Sequence, residues 1–353
     1  MTFKAPFTII LALQKTESPL EYVIYPALLI ASLAVILFAS ELFTNAVEWA
    51  GKKMDLSHGA TGSILAAVGT ALPETTIPVI ALLTGNHESA EVAVGAIAGA
   101  PFMLSTLALC VSGVAVYYYA ARGKRSKELK LDIAVKQRDL GFFIVIYSVA
   151  VLTTFVHGHG FRHAVALGLM FSYAIYMFIT LRHEGEAEGD LEHLHLSRLF
   201  RSHRVRRRFI LLQIMISLGL IVGGAHYFVI AVQRVSHMVG IPTMLLSLLI
   251  TPVATELPEK MNSVIWIRGG KDTLALGNIT GAMVFQASFP VAIGVAFTNW
   301  ELTGPTMVSA IIALVASLVC YVTLKVKKRM PPQLLLACGG LYVLFIIYLL
   351  TGF

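Results

Sequence analysis

Two short strings decide how this chain is read: GTALPET at Gly69–Thr75 and ATELPEK at Ala254–Lys260. Each places a glutamate, Glu74 or Glu259, directly after a proline and inside an apolar segment long enough to cross a bilayer. A charged side chain at that depth costs about 2.5 kcal/mol or more even on permissive insertion scales, so intramembrane carboxylates are rare and mark ion or proton routes. Two of them in matching surroundings point to one cation path.

The rest of the chain agrees with a membrane setting. Of its 353 residues, 57% are hydrophobic and only 13% charged, which is not the composition of a soluble domain. Cys110, Cys320 and Cys338 lie in apolar stretches without CxxC spacing, so they read as small core residues rather than a zinc or redox framework. The net charge of +7 is spread over short connections between apolar runs, which excludes a nucleic-acid patch and makes the basic residues a topology signal.

At about 20 apolar residues per crossing, ten runs qualify: 24–48, 57–83, 89–119, 140–157, 161–181, 209–233, 240–266, 272–298, 303–324 and 332–351. Lysine and arginine counted in alternate connections split 22 to 4, with Lys260 alone inside a span. One missed or extra span would destroy that split, so it predicts ten helices with both termini on the non-cytoplasmic side. Residues 1–23 read as a tail, with the short run Phe7–Leu13 lying at the interface rather than acting as a signal peptide. Residues 183–208 read as a solvated cytoplasmic loop. The alternative for that loop is metal or pH regulation through His183, His193, His195 and His203, which deletion of Glu184–His195 would test.

The chain also repeats. Aligned at an offset of 185, GTALPETTIPVI (Gly69–Ile80) and ATELPEKMNSVI (Ala254–Ile265) agree at six of twelve positions, and downstream, at an offset of 182, GAIAGA (Gly95–Ala100) matches GNITGA (Gly277–Ala282) at four of six. The halves, 24–182 and 209–353, hold five spans each. Five is odd, so the second half enters the membrane from the opposite side. The expected fold class is therefore an all-α membrane protein of two inverted-topology repeats, with an ion site at the midplane between them on interrupted helices. Gly69 and Pro73 are expected to interrupt the second span, and Pro252 and Pro258 the seventh, since proline frees an upstream carbonyl. At membrane depth such a carbonyl needs a partner or a polar cavity.

At these residues the chain resembles the sodium/calcium exchanger family of the cation/calcium exchanger superfamily. The family's GTSLPE-like and GNxxGSNxFN-like strings correspond here to GTALPE at 69–74 with GAIAGAPFML at 95–104, and to ATELPE at 254–259 with GNITGAMVFQ at 277–286. The resemblance implies that Glu74 and Glu259 are the central ion ligands, with Thr70 and Thr255 contributing a hydroxyl or carbonyl oxygen. Such oxygens suit a hard cation such as calcium, which takes six to eight of them. Several sodium-type ligands are replaced: Ala71, Ala100, Pro101, Leu104, Ala282, Met283 and Gln286 stand at those positions, and Glu256 adds a carboxylate. Sodium coupling is thereby placed in doubt.

Several neighbours bear on the site. Glu256 and Lys260 are four apart, the spacing of an ion pair on one helix face; Lys260 is either a structural partner or a built-in cation. Asn278, Thr280 and Gln286 on the eighth span, with Asn262 and Ser263 on the seventh, are candidates to complete the ligand shell, and Ser105, next to the replaced position 104, is the first-repeat partner. Gly95, Gly99, Gly277 and Gly281 read as close-packing positions. Glu41 and His226 occupy equivalent repeat positions, as polar anchors or a proton relay.

The expected function is secondary antiport, exporting Ca2+ in exchange for Na+ or H+ by alternating access, in a plasma or inner membrane and without a cofactor. The alternative is a transport-inactive protein that senses cations. An embedded enzyme fits least, since HExxH and GxSxG patterns are both absent.

Overall fold

The computed structural model describes residues 20–53, 72–156, 158–183, 194, 207–302 and 304–351. Within them the chain is helical throughout: α1 (Glu21–Lys53), α2 (Leu72–Thr84), α3 (His87–Met103), α4 (Leu109–Ala121), α5 (Ile133–Leu152), α6 (His159–His183), α7 (Arg207–Val239), α8 (Thr243–Arg268), α9 (Asp272–Phe297), α10 (Pro305–Lys327) and α11 (Pro332–Thr351). A π-helical turn, Leu104–Ala108, joins α3 to α4, so the two form one span, His87–Ala121. That makes ten spans. Eight are long and apolar enough to cross a bilayer. Of the other two, α2 has 13 described residues, and every 18-residue window of α8 contains Glu256, Glu259 and Lys260.

Local chemistry sets the ends. The Asn86 side chain accepts from the Ser89 amide at 2.6 Å and starts α3, and Asp132 caps α5 through the Val135 amide. Because of that cap, α5 begins at Ile133, seven residues before the expected start at 140. The expectation that Lys260 alone lies in a span is thus corrected: Lys136 and Arg138 belong to α5, and Lys136 is buried. A second correction concerns the seventh span. The helix α8 runs unbroken through Pro252 and Pro258. The discontinuity in this part of the fold falls instead at Leu104–Ala108, three residues after Pro101, where a π turn absorbs the disturbed backbone ladder.

Packing follows the repeat. α1 lies along α7, where Gly224 leaves no room for a Cβ beside Ile36. α5 meets α10, α6 meets α9, and α4 meets α11. Exchanging the halves maps the first two contacts, α1 with α7 and α5 with α10, onto themselves. It maps α6–α9 onto α4–α11, and α5–α9 onto α3–α10, both of which are present. The contact map is therefore that of a pseudo-twofold, inverted pair. The outer surface is apolar, with Phe171 on α6 and Met215 on α7 among its exposed residues, as a lipid-facing surface must be.

The centre is made by α2, α3, α8 and α9. Gly95 and Gly99 of α3 lie so close to the Met244 and Leu248 carbonyls of α8 that a Cβ has no space at either position. Ser247 of α8 donates to the Val92 carbonyl of α3 at 2.7 Å. Pro252 cannot donate to the Leu248 carbonyl, the same carbonyl that Gly99 approaches.

Candidate ion site

Three carboxylates and one ammonium gather where the halves meet. On α8, Lys260 Nζ stands 3.8 Å from Glu256 Oε2 and 3.7 Å from Glu259 Oε2. The first contact is the expected one-turn pair; the second joins sequence neighbours. Glu74 arrives from α2 in the other repeat, and the charges of Glu259, Glu256 and Lys260 all act on it. Glu74 and Glu256 are buried, whereas the Glu259 side chain keeps 26% of its exposure.

The decisive detail is what these groups lack. Both oxygens of Glu74 and both oxygens of Glu256 are buried without a hydrogen-bond partner. Gln286 of α9 directs its side chain at Glu256 but closes no hydrogen bond with it. A buried carboxylate without partners is strongly unfavourable, and only a cation or a proton relieves it. Lys260 relieves part of the charge on α8 and makes no hydrogen bond to either oxygen of Glu74.

Backbone oxygen is near as well. Pro78 cannot donate to the Glu74 carbonyl, nor Pro258 to the Ala254 carbonyl, so each repeat presents a main-chain oxygen without its usual helical donor beside the carboxylates. Thr255 is buried and donates its hydroxyl to the Thr251 carbonyl at 3.0 Å, which leaves its lone pairs for an acceptor role. Hard oxygen donors of this kind match calcium better than soft metals. Among the described residues, no three acidic, histidine or cysteine side chains close tightly enough to enclose a metal ion. The arrangement is open, with an ammonium between two of its carboxylates.

The other residues singled out from the sequence fall in several places. Thr70 lies outside the described residues, as do His193, His195 and His203 of the loop. Gln286 is buried at the site. Asn278 is half-buried and donates to Ser263 Oγ at 3.2 Å, while Ser263 donates to the Ala275 carbonyl, so this pair ties α8 to α9. Ser105 is buried in the π turn and donates to the Phe102 carbonyl of its own span. Asn262, Glu41 and His226 are exposed, the last two on the peripheral α1–α7 pair.

A second charged cluster lies behind α9. Asp139 of α5 accepts from Thr280 Oγ1 at 2.7 Å, Lys136 Nζ at 3.1 Å, Tyr176 OH at 3.1 Å and the Arg138 guanidinium at 3.2 Å. Reading residues 121–139 as a loop hid this cluster. The Asp132 cap and the Lys136–Asp139 spacing of three were the available signals for a helix there. Below it, Arg125 forks onto both oxygens of Asp272, at 2.6 and 2.9 Å, and holds the α4–α5 connection against the start of α9.

Ten spans in an inverted pair, with unsatisfied carboxylates from both halves at their junction, define a membrane carrier for cations rather than an enzyme. Comparison narrows the class. The sodium/calcium exchanger protein family model matches residues 24–182 and 209–352, and the chain belongs to that family. Inner membrane protein YrbG of Escherichia coli (strain K12) is 21% identical over 305 residues, covering 84% of this chain and 88% of that protein. Among solved structures, the H+/Ca2+ exchanger CAX superposes with a TM-score of 0.69 at 19% identity, over 98% of this chain and 85% of that one. The sodium-calcium exchanger NCX_Mj superposes at 0.57 and 18% identity, over 92% and 98%. The protein is thus a multi-pass cation exchanger of the calcium-transporting kind.

Proposed function

We propose that this protein exports Ca2+ by antiport against protons, with Glu74, Glu256 and Glu259 binding the two kinds of ion in turn. The observation that carries the reading is the set of four buried carboxylate oxygens without hydrogen-bond partners, contributed by both repeats. A site made of carboxylates exchanges a divalent cation for protons by competition alone. Thr70 and Thr255, with Gln286, would complete the calcium shell; Asn278 would act at one remove by joining α8 to α9. Ser105 and Asn262 would serve the gating helices rather than the ion.

Lys260 favours protons over sodium as the counter-ion. Its ammonium already stands at the carboxylates of α8, where a bound monovalent cation would otherwise meet them. The reading needs no resident cofactor, because the cations are cargo. In this reading 24–182 and 209–353 are the two repeats, 1–23 is an interfacial tail, 183–208 is a cytoplasmic loop, and both termini lie outside an inner or plasma membrane. Reporter fusions at the two termini test the sidedness; a cytoplasmic signal from either end would overturn it.

The test of function is calcium uptake into everted vesicles with proton and sodium gradients imposed separately. Proton-driven uptake without a sodium requirement is the expected result. Uptake driven by sodium alone would refute the counter-ion, and no gradient-driven flux at all would favour a cation sensor.

A further inference from the structure

The helix α9 is held from two sides, and only one of them faces the carboxylates. Gln286 projects toward Glu256 of α8. Nine residues earlier is two and a half turns, so Gly277 lies on the opposite side, and a Cβ there would meet Lys136 Nζ at 2.9 Å. A Cβ on Gly281, one turn along, would meet Tyr176 OH at 3.6 Å. Thr280 belongs to this rear surface and donates to Asp139 at 2.7 Å.

Asp139 is the shared acceptor. Its Oδ1 takes Tyr176 of α6 and Arg138 of α5; its Oδ2 takes Lys136 of α5 and Thr280 of α9. Lys136 Nζ also reaches Thr280 Oγ1 at 3.3 Å. The aspartate is 2% exposed and Lys136 is 1% exposed, so these hydrogen bonds are shielded from water and charge-assisted, the strong kind. One buried carboxylate thereby joins two helices of the first repeat to the ligand-bearing helix of the second. The glycine at 277 lets the Lys136 ammonium approach the helix backbone closely, whereas a Cβ at 281 would make only ordinary contact with the Tyr176 hydroxyl.

We propose that Asp139, with Thr280 and Tyr176, is a positioning node: it fixes the rotation of α9 about its own axis and so sets how Gln286 is presented to Glu256. A helix turned by even part of one residue's 100° would carry Gln286 off that line. The Asn278–Ser263 bond lies toward the α8 side and resists sliding, whereas the Asp139 bonds act from behind and resist turning. This role rests on the antiport reading above, because it is expressed through calcium binding at the same carboxylates.

The test compares Thr280→Val, which keeps shape and removes the hydroxyl, with Thr280→Ser, which keeps the hydroxyl, and adds Tyr176→Phe. Calcium uptake per transporter is measured in everted vesicles, with calcium-dependent melting of the purified protein alongside. Coupling through such a node is expected to raise the KM for calcium about 2- to 30-fold in Thr280→Val and Tyr176→Phe, with the maximal rate little changed. Thr280→Ser should keep the original KM. The Thr280→Val, Tyr176→Phe double variant should fall short of the product of the single effects, since both act through Asp139. A purely structural role would lower melting temperature and leave every KM alone, and that outcome overturns the proposal. An unmodified protein that neither transports nor binds calcium refutes the antiport reading and takes this role with it; a transporting protein with indifferent variants refutes the node alone.

Discussion

Replacing Lys260 with methionine separates its two possible roles most sharply. The ammonium lies 3.8 and 3.7 Å from the nearer oxygens of Glu256 and Glu259. At an effective dielectric of about 20, each contact amounts to about 4 kcal/mol, and removing one partner of a buried pair typically costs about 3–5 kcal/mol. If Lys260 is a tethered cation that calcium must displace, its loss removes a competitor of that strength. Calcium affinity should then tighten by about 100- to 1,000-fold, each factor of ten being 1.4 kcal/mol. Release becomes the slow step, so turnover falls. The calcium-free variant should melt well below the original, because Glu256 then has neither ammonium nor hydrogen bond, and calcium should restore the melting temperature. The assay is calcium-dependent thermal melting of purified protein, followed by vesicle flux at several proton and sodium gradients. Lys260→Arg keeps the charge and serves as the control. Weaker calcium binding in Lys260→Met, or unchanged ion dependence, would refute the competitor role and leave Lys260 as a structural counter-charge.

Other substitutions test other parts of the argument. Glu74→Gln and Glu259→Gln should each abolish vesicle exchange while the protein still reaches the membrane; calcium flux persisting in both sinks the ligand assignment. Gly99→Ala drives a Cβ into the Leu248 carbonyl, so α3 and α8 must separate at a cost of about 1–3 kcal/mol. Gly168→Ala, with nothing within 4 Å of the added carbon, is its control, and equal melting temperatures for the two would contradict the close packing. Asp272→Asn breaks the fork with Arg125, a pair exposed by only 5% and 1%, and should cost about 3–5 kcal/mol. Thermal melting checks that figure, and a loss below about 1 kcal/mol, the range of exposed pairs, would mean that the connection is not latched by charge.

Much of this was legible without coordinates, for physical reasons. Bilayer thickness forces long apolar runs, and charge asymmetry across the membrane fixes their parity, so the ten spans follow from simple counting. The duplicated LPE strings locate the site because a carboxylate at membrane depth is too costly to keep idle. Their neighbours were harder to read. Asn278 and Gln286 are both amides on α9, yet one faces Ser263 and the other Glu256; a difference in helix rotation cannot be read from composition. Asp139 was missed because three charges within four residues resemble a loop, whereas in the fold Thr280 of α9 and Tyr176 of α6 close over them. Sequence reports the cost of a buried charge only when no partner is nearby in the chain, and Asp139 has Lys136 and Arg138 beside it, while Tyr176 and Thr280 come from other helices.

The inequality of the repeats then becomes a statement about mechanism. Among the described residues, Glu74 enters the site with no cation of its own repeat acting on it, while Glu256 and Glu259 carry Lys260 with them on α8. Fully ionised, the four groups sum to a charge of −2, which one calcium ion neutralises. Two protons carry the same positive charge as one calcium ion and would neutralise the site equally. A carrier that crosses its midpoint only when the buried site is electrically compensated can therefore do so with one calcium or with two protons, and the bare site is held back by the cost of burying −2. Without Lys260 the balance would be −3, and neither one calcium nor two protons would suffice. On the antiport reading Lys260 therefore sets the charge that each leg of the cycle must carry, not the net ratio. In Lys260→Met one calcium would have to cross together with one proton, so the calcium leg itself should become dependent on proton concentration, and calcium–calcium exchange in proteoliposomes that stays indifferent to pH would refute this.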